Sequence, residues 1–162
     1  MASLPKNPKP ETFTLAVLMQ HAGKLLEDRL RAGFDGIGLH LSQGRVLHLL
    51  GRRGSFEQQE LAVMMRVSAP TVSGILKRME AEGLVKRSPD AHDDRVTCVS
   101  LTRKGHQKGR AAEAVVNEVE QTLIAGLSQS QLRSAHSLLR QLRNNLGGEP
   151  PGHEPAVQKI IP

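Results

Sequence analysis

Small, hydroxyl-bearing and basic side chains are concentrated between positions 68 and 78, and their chemistry suits a nucleic acid. Ser68 has the form of a helix N-cap, and Pro70 falls in the first turn, where its missing N–H removes no hydrogen bond. Small residues let the start of a helix enter a DNA groove, while hydroxyl and basic groups bond base edges and phosphates. The candidate contacts are Ser68, Ala69, Pro70, Thr71, Ser73, Lys77 and Arg78. A capped surface helix with a polar outer face is the alternative interpretation.

A second group of charged residues occupies the tip of a possible hairpin, in the order Asp93-Asp94-Arg95. An isolated guanidinium at such a tip can enter a narrow minor groove, where negative potential is concentrated. Asp93 can hold that guanidinium in position. Arg87, on the first strand of the hairpin, completes the candidate DNA contacts. An ordinary charged turn is the alternative.

The distribution of charge favours the same surface. The net charge is +6, and the stretch 66–110 alone carries ten basic and five acidic residues. A basic balance indicates a polyanionic partner. Only three aromatic residues occur, all Phe, which argues against single-stranded nucleic acid because that partner is usually held by base stacking. Duplex DNA is therefore the expected partner.

Several other classes of protein find no support in the residues. We see no phosphate-binding glycine loop and no nucleophile with a base, so we expect neither an enzyme nor a cofactor. The seven His residues show no ligand spacing, so no metal site is predicted. Cys98 is the single cysteine, and we expect a semi-buried, unreactive thiol. Without an apolar run or a signal peptide, a soluble cytoplasmic protein with no membrane partner is expected.

Periodicity predicts a mainly helical fold with a small β-hairpin. The helices fall at about 11–33, 42–50, 55–65, 68–82, 102–126 and 128–146, and the hairpin strands at 84–87 and 96–101. Gly33 is expected to end the first helix, Ser42 to cap the second, and Gly51 to Gly54 to break it. Ser55 and Gln58 have the form of a capping box for the third helix.

The same pattern divides the chain into a DNA-binding lobe and an arm. Residues 1–10 are expected to be a flexible arm, 11–146 one domain, and 147–162 a flexible tail, with docking of its apolar residues on a partner as the alternative. Within the domain, 42–101 forms the lobe, while about 11–33 and 102–146 supply dimerisation helices. The last helix has more leucines than one small body needs, which favours a second copy as partner. Burial within its own subunit is the alternative.

At this point the chain resembles the MarR family of bacterial regulators. The similarity is carried by Leu41-Ser42-Gln43, Glu60-Leu61-Ala62, Val67-Ser68-Ala69-Pro70-Thr71-Val72-Ser73, Glu82-Gly83-Leu84-Val85, Asp93-x-Arg95 and Leu101-Thr102-x-x-Gly105. The resemblance implies a winged helix-turn-helix dimer with its recognition helix at 68–82 and its wing at 86–96. It makes Arg95 the minor-groove residue and Asp93 its support. Asp94 is a departure, because many members carry a second Arg there.

The resemblance also implies a small anionic or aromatic effector bound between the arm and the lobe. The candidate lining residues are His21, Leu25, His40, His48 and Arg52. The resulting hypothesis is a homodimeric, sequence-specific repressor that a ligand releases from a pseudo-palindromic operator. An architectural or protein-interaction winged-helix protein without operator specificity is the alternative.

Overall fold

The computed structural model describes residues 13–90, 93 and 95–148. Within them the chain forms six helices and three short strands, which confirms the mainly α fold with a hairpin wing. The helices are α1 (Leu15–Gly36), α2 (Leu41–Arg53), α3 (Gln58–Met65), α4 (Ala69–Ala81), α5 (Arg103–Ile124) and α6 (Gln129–Asn145). The strands are β1 (Ser55–Glu57), β2 (Val85–Pro89) and β3 (Thr97–Leu101). The predicted arm at 1–10 and most of the predicted tail lie outside the described residues.

Helix α1 continues past the glycine that was expected to end it. Gly33 lies within the helix and packs so closely on α5 that an added Cβ would stand 2.5 Å from Val115 Cγ1. The prediction of a stop at Gly33 was therefore wrong, because this glycine serves a close helix contact. The N-cap is Thr14, whose Oγ1 accepts a hydrogen bond of 3.3 Å from the Val17 N–H.

Helix α2 also differs from its predicted bounds at both ends. It begins at Leu41, with His40 and not Ser42 as its N-cap, and the His40 N–H donates to Gln43 Oε1 at 3.0 Å. It runs through Gly51 and ends at Gly54, whose φ of +89° suits a residue without a side chain. The predicted break was one turn too early, because a single glycine inside a packed helix is tolerated.

The sheet has a strand that the sequence interpretation missed. Ser55–Glu57 forms β1, which pairs antiparallel with β3 so that Phe56 lies opposite Val99 and is buried. Ser55 is therefore not a helix cap. Helix α3 is instead capped by Glu57, whose N–H donates to Glu60 Oε2 at 3.1 Å. The strand order is β1-β3-β2, and β2 and β3 pair antiparallel as the hairpin.

The core lies in the lobe built by α2 to β3 and closed by α1 and α5. Its fully buried side chains include Phe34, Val46, Leu47, Leu50, Leu61, Val72, Leu76, Met79 and Val99. Burying such a set supplies most of the stabilisation of the fold. The buried core therefore holds the elements on the surface of the lobe in fixed positions.

Helices α1 and α6 carry apolar side chains that are exposed to solvent in the single chain. Leu15, Leu18 and Leu25 on α1 and Leu138 and Leu139 on α6 are all more than half exposed. No residue of α6 is buried in the single chain. Among the described residues no helix is long and apolar enough to cross a membrane.

Candidate nucleic-acid interface

Helix α4 begins as the sequence predicts. Ser68 is its N-cap, and Ser68 Oγ accepts from the Thr71 N–H at 3.3 Å. The helix buries Val72, Ile75, Leu76 and Met79. Its opposite side is exposed at Ala69, Pro70, Thr71, Gly74, Lys77 and Arg78, while Ser73 is half-buried. The start of α4 thus presents small and hydroxyl-bearing groups to solvent on a rigid support.

A tight turn joins α3 to α4. Arg66 adopts the left-handed conformation at φ 52°, and the Val67 N–H donates to the Ala62 carbonyl oxygen at 3.0 Å. Ser68 follows at once as the cap of α4. Two short helices joined in this way form a helix-turn-helix unit.

Two of the proposed contact side chains are already engaged within α4. The Thr71 hydroxyl lies 2.8 Å from Ser68 Oγ, and Arg78 Nε donates to the Gly74 carbonyl oxygen at 3.3 Å. A hydroxyl has one donor and two acceptor sites, and a guanidinium has five N–H donors. Both side chains therefore keep capacity for bases or phosphates.

The β2–β3 hairpin places Arg95 at its exposed end. The Arg95 side chain is 91% exposed. Asp93 Oδ1 accepts from both the backbone N–H of Arg95, at 3.0 Å, and its Nε, at 3.1 Å. One carboxylate oxygen thus orients the backbone and the guanidinium together. Asp94, the departure from the family pattern, lies outside the described residues.

Arg87 is held differently from the other candidate contacts. Its Nε and Nη2 donate to Glu80 Oε2 at 3.0 and 2.6 Å. The hydrogen bonds and positive charge of Arg87 lower the pKa of Glu80 below its ordinary value. The structure therefore places Arg87 against the end of α4. Glu80 was not among the residues named from the sequence, although it lies only seven positions before Arg87.

The five candidate effector residues are not brought to one place. His48 lines a cavity of about 220 Å³, which is otherwise formed by Leu30, Phe34, Arg45, Leu49, Met64, Met65 and Val116. His40 lies in a separate groove beside α4, and Arg45 borders both spaces. His21 and Leu25 are exposed on α1, and neither they nor Arg52 line the cavity. Arg45 was missed, because nothing in its sequence neighbourhood marks it as facing a cavity.

His48 is, with Arg45, one of the two polar residues that line that cavity. Its Nδ1 is buried and has no hydrogen-bond partner among the residues that the structure describes. Burial lowers the pKa of His48 below 6.5, and the charge of Arg52 lowers it further. The imidazole is therefore neutral near pH 7.

Cys98 is half-buried, with its Sγ 3.4 Å from Asp90 Oδ2. Burial raises the pKa of the Cys98 thiol, and Asp90 raises it further. The protonated thiol is a poor nucleophile. In the part of the chain that is described, no cluster of metal-ligating side chains is found.

A capped helix with an exposed start, a tight turn before it and a charged hairpin beside it define a winged helix-turn-helix protein. Residues 39–97 match the sequence profile of the MarR family. The chain belongs to the MarR family of transcriptional regulators.

Named relatives support this assignment. The chain is 30% identical over 110 residues to the HTH-type transcriptional repressor IacR of Pseudomonas putida, and these residues make up 68% of this chain and 66% of IacR. It is 27% identical over 128 residues to the HTH-type transcriptional repressor Rv2887 of Mycobacterium tuberculosis, and these make up 79% of this chain and 92% of the relative. Among solved structures, S. aureus MepR in its DNA-binding conformation matches with a TM-score of 0.77 at 25% identity, covering 83% of this chain and 99% of MepR.

Proposed function

We propose that this protein is a ligand-responsive repressor that binds a pseudo-palindromic operator in duplex DNA as a homodimer. One observation supports this proposal: the exposed start of α4 and the exposed Arg95 side chain both lie on the same lobe. The exposed start of α4, at Ala69 to Thr71, suits a major groove, and Arg95 held by Asp93 suits the adjacent minor groove. S. aureus MepR, which shares the fold, has also been solved as a DNA complex.

The proposed dimer interface is the uncovered apolar surface of α1, α5 and α6. Leu18, Leu123, Leu138 and Leu139 are each more than half exposed in the single chain. A twofold dimer through these helices buries that surface and presents two copies of α4. Two recognition helices about one DNA turn apart require an operator with inverted half-sites.

The proposed effector is a small aromatic anion in the His48 cavity. Leu30, Phe34 and Met64 supply apolar walls, while His48 and Arg45 are the polar residues of the lining. Apolar walls with a few polar groups are typical of ligand sites. Because α1, α2, α3 and α5 all border the cavity, a bound ligand contacts both the lobe and the proposed dimer helices.

A competition gel shift tests the DNA-binding proposal. A duplex selected from a random pool is labelled and then challenged with unlabelled bulk DNA. A sequence-specific regulator prefers its site by about a thousandfold or more. Equal competition by bulk DNA would instead support an architectural winged-helix protein.

Release by benzoate and its hydroxylated derivatives tests the effector proposal. His48→Leu and Arg45→Ala should bind the selected duplex but resist release, whereas His21→Leu, outside the cavity, should respond like the wild type. Release of all four proteins at the same ligand concentration would contradict a site at His48.

A further inference from the structure

The end of α4 is joined to the first strand of the wing by an ion pair between Glu80 and Arg87. Two nitrogens of the Arg87 guanidinium donate to the same carboxylate oxygen of Glu80, and the Arg87 side chain is only 28% exposed. Such charge-assisted bonds hold a planar guanidinium in one orientation. An arginine held in this way is poorly placed to reach a phosphate.

The other side of the same helix end is held as well. Gln43, which is buried, donates from Nε2 to both carboxylate oxygens of Glu82 at 3.1 and 2.9 Å. Lys104 Nζ donates to the Glu82 carbonyl oxygen at 2.8 Å, and Thr102 Oγ1 donates to the Gly83 carbonyl oxygen at 2.6 Å. Helix α2 and the start of α5 therefore fix the end of α4 to the body, and Arg87 adds the wing.

A short turn connects α4 to the first strand of the wing. Gly83 has φ +71° and follows Glu82, the C-cap of α4, and β2 begins two residues later at Val85. The Glu80–Arg87 contact spans this turn. Arg95 lies at the far end of the hairpin, so a small change in the angle between β2 and α4 would move Arg95 by a larger distance.

We propose that the Glu80–Arg87 ion pair is a brace that sets the position of the wing relative to the recognition helix α4. Arg87 is then a positioning residue for operator choice and does not itself contact DNA. The inference rests on the proposed function, because it concerns simultaneous contact with a major and a minor groove. Without the brace the two contacts no longer match one DNA geometry, and the selected site loses more affinity than bulk DNA.

The test compares Arg87→Ala, Glu80→Gln and their double variant with the wild type. Lys86→Ala is the matched control, because Lys86 is an exposed cation on the same strand with no acidic partner among the described contacts. For each protein, affinity for the selected duplex and for bulk DNA is measured at several salt concentrations. Thermal unfolding identifies a temperature at which every variant is folded, and Arg87→Lys provides a conservative variant that keeps the charge.

The brace predicts that both single variants lower the ratio of specific to bulk affinity by about tenfold. The double variant should lose no more than either single one, because all three remove the same contact. The slope of log K against log salt for the specific duplex should change by the same amount in Arg87→Ala and Glu80→Gln, because both variants disturb the same Arg95 contact. Arg87→Lys should recover part of the ratio.

A slope flatter by about 0.9 in Arg87→Ala than in Glu80→Gln would show that Arg87 itself contacts a phosphate, and it would overturn the brace. An unchanged ratio in Glu80→Gln, or additive losses in the double variant, would overturn it as well. If the wild type itself shows no preference over bulk DNA, the proposed function fails first, and that outcome is distinct from a wild-type preference that Glu80→Gln leaves unchanged.

Discussion

Asp93 orients Arg95, the residue that we propose as the minor-groove contact. Its Oδ1 accepts from both the backbone N–H and the Nε of Arg95, so the guanidinium is oriented in the DNA-free chain. Preorganisation of this kind lowers the entropy lost on binding. The proposed contact is electrostatic, so its contribution should depend on salt.

Replacement of Arg95 by alanine should weaken binding to the selected duplex. If one phosphate-linked contact is lost, the slope of log K against log salt should flatten by about 0.9. Fluorescence anisotropy titrations between low and physiological salt measure both effects. Arg133→Ala, an exposed arginine on α6, is the control and should leave the slope unchanged. An unaltered slope in Arg95→Ala would remove Arg95 from the interface.

His48 should make the stability of the protein depend on pH. Burial lowers the pKa of His48 in the folded chain below 6.5, so below that pH the unfolded chain binds the proton more readily. Stability is therefore lost as the pH falls from about 6.5 toward the folded-state pKa. Urea unfolding at pH 7.5 and 5.5 should show a smaller loss for His48→Gln than for the wild type. The same loss in both would contradict this assignment, and exposed His106→Gln is the control.

At the scale of the elements, two glycines in α2 should respond in opposite directions to alanine. A Cβ at Gly44 would lie 2.5 Å from the fully buried Phe34 ring, whereas a Cβ at Gly51 meets nothing within 4 Å. Gly44→Ala should destabilise the protein by about 1–3 kcal/mol through overpacking. Gly51→Ala should stabilise it by about 0.5–1 kcal/mol through helix propensity. Urea unfolding of both variants checks the signs, and equal signs would be inconsistent with this packing of α1 on α2.

Elements with local signals were predictable from the sequence, and those made by distant contacts were not. The cap at Ser68 depends on residues within one turn, and the structure has it. Strand β1 exists because Phe56 pairs with Val99, which is 43 positions away, and no local pattern of three residues records that.

The same distinction holds for the candidate site. The exposed face of α4 follows from helical periodicity, so its residues could be named in advance. The partners of Arg87 and Gln43 depend on how α4 packs between β2 and α2, so neither partner could be named from the sequence. The cavity at His48 also forms only when α1, α2, α3 and α5 assemble, which explains why Arg45 was missed.

For the whole molecule, a charge on the apolar side of α6 should break the proposed dimer. Leu138 is 58% exposed in the single chain, so Leu138→Glu leaves the core of the lobe intact. Buried at a dimer interface, the new carboxylate would be unpaired and strongly unfavourable. Light scattering should give a mass near 17.7 kDa for this variant and twice that for the wild type. Ser137→Glu, exposed on the same helix, is the control, and a dimeric Leu138→Glu would contradict the interface.

The central claim is that a dimer places two copies of α4 on one duplex at a fixed spacing, and a change in operator spacing tests it directly. The selected duplex is compared with the same duplex carrying five extra base pairs between its half-sites, which turns one half-site to the opposite face of the DNA. For the proposed dimer we expect two chains per selected duplex and a loss of most of the specific affinity on insertion, because the dimer holds its two recognition helices about one DNA turn apart. One chain per duplex, or equal affinity for both spacings, would contradict it.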